Sequence, residues 1–324
     1  MVEASGPRGL PRRAWAVNPP PAGAGGFLGL LSLATLVATF VDPSELTGQP
    51  VWAKPARFAF SFALYDVTLL WLLTFVRGHR RLVRVISWTT AVGVVAEVLW
   101  VFGSAAAGRI SHYNHGSSAS TGLTITMLVI ISVVGVMTLL TIGLLLVQRV
   151  EPPALAWALR LGLALTVVGM TLGTLMITPT PAQETAADLS GSMPVIGAHS
   201  VGRADGGPGM PVTNFSTDAG DLRVAHFVGV HALQALCLLG LLLTLGPRSL
   251  GPRHRTALVW IAAAAFLGLA LVLAWQAHRA QSVVSPDATT LTDLAALAVA
   301  VAAAVTAVFL RARASRPARP DTPG

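Results

Sequence analysis

The chain has 324 residues, a mean hydropathy of +0.67 and 11% charged residues, where a soluble domain carries about 25%; too few charges remain to coat a water-soluble globule. Its net charge of +8 does not point to nucleic acid, because the basic residues form short clusters between apolar runs and no continuous basic face. A single cysteine, Cys237, excludes an intrachain disulfide framework and a cysteine-based zinc site, and its place among leucines reads as a small apolar filler.

Residues 1–24 read as a cytoplasmic N-terminal segment. Arg8, Arg12 and Arg13 precede Pro19-Pro20-Pro21, and the apolar run that follows lacks a small-residue cleavage site, so it is expected to be a retained helix. Crossing about 30 Å of hydrocarbon takes roughly 20 apolar residues in a helix. Eight runs qualify: 25–41, 58–76, 83–104, 123–148, 154–178, 223–246, 256–277 and 290–310. They are too long and too evenly apolar to be strands. The expected fold is an all-α polytopic transmembrane bundle of about eight spans over 25–310, followed by a basic cytoplasmic tail at 311–324.

In the fifth span Gly162, Gly169 and Gly173 share a small-residue spacing that permits close helix packing. The one long connection, 179–222, is rich in Gly, Pro, Asp, Ser and Thr, and loops of this length are either functional or floppy. No internal repeat is evident, which gives an inverted-repeat transporter fold no support.

Basic residues orient the spans. Sixteen of the 22 Lys and Arg fall on the side of the N-terminus, the 77–84 and 248–255 loops, the 149–160 region and the tail; the other side holds Lys54, Arg57, Arg109, Arg203, Arg223 and Arg279. Both ends are therefore expected inside, with the 179–222 loop outside. Trp52, Trp100 and Trp275 would mark the outer interface and Trp71, Trp88, Trp157 and Trp260 the inner one.

This topology sorts the polar residues. Six of the eight histidines, His112, His115, His199, His226, His231 and His278, fall outside or in the outer half. Asp66 and Glu97 are embedded in apolar runs, where a charge costs a few kcal/mol or more. Such carboxylates either mark function or form a structural pair inside the bundle. From the rise of 1.5 Å per residue, Asp66 lies roughly 12 Å below the start of span two and Glu97 about one to two turns below the outer end of span three. His231 sits at similar depth to Glu97, so the two could meet, and Gln234 shares the face of His231. His226 and His231, five apart, diverge around the helix and are not expected to share one ion. The inner half looks close to featureless apolar helix.

Four local patterns stand out. Trp52-Ala53-Lys54-Pro55-Ala56-Arg57-Phe58 opens span two, with Pro55 suited to a helix start and Arg57, Ser61 and Tyr65 in one stripe; the plain alternative is interfacial anchoring. Lys54 is the only lysine, so either an ammonium is wanted there or it survives an arginine bias by chance. Ser111-His112-Tyr113-Asn114-His115 follows span three. The stretch 197–209, glycine-rich and containing His199 and Asp205, reads as tight turns capping the outer face. Asp221 is placed to cap span six, which carries His226, His231 and Gln234. Together these give an expected outer constellation of Lys54, Glu97, His112, His115, His226, His231 and Gln234. His and carboxylate suit a divalent metal, with His112, His231 and Glu97 as ligands, and membrane-helix histidines suit haem. No HExxH, HxxxH or EF-hand pattern is present.

The stretches WAKPARFAFSFALYD, SHYNH, DGGPGMP and GDLRVAHFVGVHALQ resemble those of uncharacterised actinobacterial polytopic membrane proteins. The resemblance spans most of the chain, implies a bacterial plasma membrane, and carries no reaction with it.

Four functional expectations follow, the last of them a zinc-dependent lipid hydrolase that fits the same residues but lacks a clear ligand spacing. The first is a haem- or metal-binding redox enzyme with an outward-facing His and Glu pocket, in which His226, His231, His112, His115 and Gln234 hold the cofactor, Glu97 accepts protons and Lys54 holds an anionic small-molecule ligand. The second is a proton-coupled transporter using Asp66 and Glu97, weakened by the lack of polar side chains in the inner half. The third is a non-catalytic sensor or assembly factor acting through the 179–222 loop. The lipid bilayer is a partner in each, and nucleic acid in none.

Overall fold

The computed structural model describes residues 18–246 and 250–315. Arg8, Arg12, Arg13, Arg248, Arg316 and Arg319, all part of the expected inside cluster, lie outside those residues. Among the described residues eight helices are long and apolar enough to cross a membrane, and the chain is a multi-pass membrane protein.

The spans are α1 (Pro19–Val41), α2 (Ala53–Leu73), α3 (Arg80–Ala106), α4 (Ser118–Val147) and α5 (Pro153–Gly173), which continues as a 3₁₀ turn to Ile177. The short α6 (Pro181–Ser190) stands in the long loop, and α7 (Leu222–Leu245), α8 (Pro252–His278) and α9 (Ala288–Ala314) complete the set. Several helices outrun their apolar stretches. α1 begins at Pro19, not at residue 25, because prolines in a first turn lack N–H groups that would have no intrahelical partner there. α2 takes in Lys54, Pro55 and Arg57, and α9 takes in Arg311 and Arg313. Asp221 caps α7 by accepting from the Arg223 amide, as its position suggested.

The bundle has two groups. α1, α2, α3 and α4 pack on one another, and α5, α7, α8 and α9 form the second group, with α4 against α5 as the chain link. At the arginine-rich end the groups share one apolar cluster containing Leu72, Leu145, Leu159, Leu163 and Leu233. Leu30, Phe40, Leu242 and other large apolar side chains are exposed around the outside, as a lipid-facing surface requires.

The most extensive helix pair is α5–α7. A Cβ on Gly169 would overlap Val230 N and Gly229 C, and one on Gly162 would stand 2.9 Å from Leu233 Cα. The glycine spacing in span five thus allows backbone-to-backbone approach. Thr166 Oγ1 donates to Val230 O at 3.3 Å across the seam.

The opposite end from the arginine-rich turns, called the loop end below, carries the long connection. Two small antiparallel pairings organise it: β1 (Glu45–Leu46) with β2 (Gln49–Pro50), and β3 (Ser200–Val201) with β4 (Gly220–Asp221). Residues 113–115 are stitched to 194–196, with His115 N donating to Pro194 O at 2.8 Å and Ile196 N to Tyr113 O at 3.1 Å. The SHYNH segment therefore serves partly as backbone scaffolding for the loop.

Candidate functional site

At the loop end these connections close over a cavity of about 1010 Å³. Its lining comes from the start of α2 (Val51, Lys54, Pro55), the end of α3 (Val101, Ala105), the α3–α4 connection (Arg109 to Tyr113), the long loop (including Val195 and 197–207), and Leu222 and Arg223 of α7.

Three cations meet around this cavity in different ways. Arg57 is a clamp: Nη1 donates to Val212 O at 3.1 Å and to Thr213 O, and Nη2 donates to Gln49 Oε1 at 3.0 Å. Arg223 is another, its Nε and Nη2 held by Asp221 at 2.9 and 2.6 Å and its Nη2 also donating to Asn214 O. Asp221 is buried and accepts the Ser216 amide at 2.8 Å as well. Both arginines thereby tie the 210–216 turn to the helices. Lys54 does nothing of this kind. Its Nζ stands 5.8 Å from the Phe58 ring centroid, and among the described residues it has no hydrogen bond or ion pair. The chain's only lysine lines the cavity with its ammonium unclaimed.

Opposite lie two imidazoles. Asp205 accepts the backbone amides of His199 and Ser200 at 3.0 and 2.8 Å and meets His199 Nδ1 at 2.8 Å. Burial alone would raise the Asp205 carboxyl, but the bonds from the His199 ring and the two amides outweigh it and hold the group well below its usual range. Burial pushes His199 below its ordinary 6.5, against the pull of Asp205 and aided by Lys54. The pair is thus a neutral imidazole donating Nδ1–H to an ionised carboxylate. His112 is pushed well below 6.5 by burial first and then by the positive charge of Lys54; its Nδ1 is 2.9 Å from Ser111 Oγ. The Tyr113 ring packs edge-on to both, with centroids at 6.0 Å from His112 and 5.1 Å from His199. Burial raises the Tyr113 hydroxyl, which stays protonated.

The charge balance of the lining is one-sided. It carries Lys54, Arg109, Arg203 and Arg223 against the carboxylate of Asp205. Arg203 is paired with Asp218 at 3.0 Å and Arg223 with Asp221. Among the described residues, Lys54 and the exposed Arg109 pair with no acid. Around them are Val51, Val101, Ile110, Leu175 and Leu222. Such a lining can hold an anion on an apolar body.

The expected seven-residue constellation separates into distinct places. Lys54 and His112 line the cavity; His115, His226, His231, Gln234 and Glu97 do not, and neither does Asp66. His226 Nδ1 meets Gly169 O at 2.8 Å in the α5–α7 seam, beside Gly173. His231 Nε2 lies 3.3 Å from Ser61 Oγ, bridging α7 to α2, and its ring stacks on Phe227. His231 Nδ1 and Gln234 Oε1 are buried without a partner. Glu97 and His231 do not pair: similar depth does not bring two residues to the same side of a bundle. Among the described residues, no group of three or more His, Cys, Asp or Glu side chains is placed to hold a metal ion. His112, His231 and Glu97 therefore do not fit a common metal centre, and His226 and His231 do not gather with His112 or His115.

His199, Asp205 and Arg223 join the cavity without having been expected there. His199 and Asp205 are six residues apart in an irregular loop. Gly197, Gly202 and Gly206, with φ of 99°, 89° and 104°, fold that loop back until one carboxylate caps two amides and a ring. No regular spacing predicts such a contact.

Compared with known protein families, curated proteins and solved structures, the chain matches none.

Proposed function

We propose that this chain is a plasma-membrane protein of a bacterial cell whose loop-end cavity faces outward and binds an anionic amphiphile, with Lys54 as the group that holds the anion. The single observation carrying this reading is the unclaimed Lys54 ammonium in a cavity whose other lining charges, Arg109 apart, are already paired. An ammonium withdrawn from bulk water beside apolar walls favours an anion to complete its hydrogen bonds. The neutral imidazoles of His112 and His199 and the Tyr113 hydroxyl add polarity without competing charge. The outward orientation rests on the arginine distribution, and the bacterial membrane on the resemblance of four motifs to actinobacterial membrane proteins.

Titration calorimetry of the purified protein in a nonionic detergent tests this with three probes: octyl phosphate, inorganic phosphate and uncharged octyl glucoside. Octyl phosphate binds, inorganic phosphate binds more weakly because it leaves the apolar walls bare, and octyl glucoside does not compete. Lys54→Gln weakens octyl phosphate by about tenfold or more, as removal of one charged hydrogen bond implies. Equal binding of octyl phosphate and octyl glucoside, or an unchanged affinity in Lys54→Gln, overturns the reading. If inorganic phosphate binds as tightly as octyl phosphate, the ligand is a free anion and not a lipid-like one.

A further inference from the structure

A second set of polar groups lies below the cavity, in the interior of α1, α2 and α3. Asp66 is 0% and Glu97 3% exposed. Both Asp66 oxygens, Glu97 Oε1 and Thr90 Oγ1 are buried with no hydrogen-bond partner. Two contacts set their heights. Asn18 Nδ2 donates to Ser87 Oγ at 2.5 Å, which aligns the start of α1 with the start of α3. A Cβ on Gly25 would stand 3.4 Å from Asp66 Cβ, which places Asp66 at the level of Gly25. Counting 1.5 Å per residue from the Asn18–Ser87 level, Thr90 lies about 4.5 Å up, Asp66 about 10 Å and Glu97 about 15 Å. Asp66 thus sits between Thr90 and Glu97, about 5 Å in height from each. One turn above Glu97 on the same face of α3 is Val101, which lines the cavity. The inner half is not featureless: Thr90, Ser87 and Asn18 continue this polar line towards the arginine-rich end.

Among the described residues no cation pairs with either acid, and His231 of α7, which reaches α2, meets Ser61 instead. α1 and α4 contain no titratable residue. α2 contributes Lys54 and Arg57 at its start, with Arg57 committed to the loop, and Tyr65, whose hydroxyl is 2.7 Å from Thr138 Oγ1. α3 contributes only Arg80, Arg81 and Arg84 in its opening turns, besides Glu97. A charged carboxylate with neither counter-ion nor donor is costly in hydrocarbon, whereas a proton on each acid removes the charge.

We propose that Asp66 and Glu97 are an intramembrane proton-exchange pair, loaded from the loop-end cavity through Glu97. A proton arriving from the cavity neutralises the Glu97 carboxylate. Asp66, protonated at rest like Glu97, exchanges by passing its own proton to Glu97 whenever that carboxylate is ionised and taking one back from Glu97 once the cavity has reloaded it. The gap in height between them calls for a side-chain rotation or a water in transit, consistent with oxygens that no protein group holds. This inference does not rest on the anion reading of the cavity.

Infrared difference spectroscopy of the full chain in phosphatidylcholine vesicles tests it, reading the carboxylic-acid C=O stretch during transfer from H₂O to D₂O at neutral pH. Two bands are expected, one lost in Asp66→Asn and the other in Glu97→Gln. Deuterium exchange of the Asp66 band should slow by on the order of a hundredfold in Glu97→Gln, the contribution of a positioned proton donor, and recover in Glu97→Asp. Asp66→Glu, which keeps an acid, guards against loss of fold in Asp66→Asn by retaining a shifted band. The proposal is overturned if neither substitution removes an acid band, as with carboxylates neutralised by sodium or another cation. It is equally overturned if the Asp66 band exchanges at the wild-type rate in Glu97→Gln.

Discussion

The α5–α7 seam and the α1–α3 interior are both contacts between apolar spans, and they treat polar atoms in opposite ways. In the seam, Gly162, Gly169 and Gly229 bring backbones together, Thr166 Oγ1 bonds across to Val230 O, and His226 Nδ1 meets Gly169 O. In the α1–α3 interior, Asp66, Thr90 and Glu97 are as deeply buried, yet both Asp66 oxygens, Thr90 Oγ1 and Glu97 Oε1 find no partner. Close approach with satisfied groups makes one rigid arrangement. Buried groups left unsatisfied hold free energy that a proton, a water or a movement can release. The difference marks the α5–α7 seam as a frame and the α1–α3 interior as a part with chemistry to do.

The largest effect is expected from filling the seam. Gly169→Val places side-chain carbon where Val230 N and Gly229 C already stand, and backbone cannot yield as a flexible side chain does. A destabilisation above about 3 kcal/mol is expected, seen as loss of monodisperse protein on size exclusion in detergent. Filling the other region should do the reverse. Asp66→Leu removes two unsatisfied oxygens from a site that is 0% exposed and should raise thermal stability by about 1 kcal/mol. A lower melting temperature in Asp66→Leu would show that the acid has a structural partner and that the α1–α3 interior is as satisfied as the seam.

Much of this arrangement can be read in the residues. Apolar length alone yields eight spans, and the glycines of span five announce their close packing because spacing on a helix fixes which groups share a face. Lys54 stands out as the only lysine, and its neighbours Arg57 and Arg223 turn out to be the clamps that leave it free. The helix ends are less legible, since α1, α2 and α9 run on past the apolar edge into Pro19, Ala53 and Ala314. Depth without azimuth is what misled the grouping of Glu97 with His231. The polar line of Ser87 and Thr90 escapes notice because hydroxyl residues register weakly in hydropathy and can bond their own helix, as Ser87 Oγ does to Val83 O at 2.7 Å. The His199–Asp205 contact depends on three left-handed glycine turns and has no signature in spacing.

The smallest effect expected concerns pH at the loop end, a third region where charge is present but arranged. Burial and the nearby Lys54 charge hold His112 and His199 below 6.5 in the folded chain, while in the unfolded chain both return to the ordinary value. A group with a lowered folded pKa binds fewer protons folded than unfolded, so its contribution to stability is present above 6.5 and declines as the pH falls below it. The melting temperature should therefore be level from neutral pH down to about 6.5 and then fall steadily on further acidification. His112→Gln should make the fall shallower by removing one of the two imidazoles, and Lys54→Gln should do so by removing the charge that depresses both. A melting temperature that rises as the pH falls below 6.5 would mean that the imidazoles gain protons on folding. In that case the Lys54 ammonium cannot stand beside them uncompensated, and the cavity would have to hold an anion already.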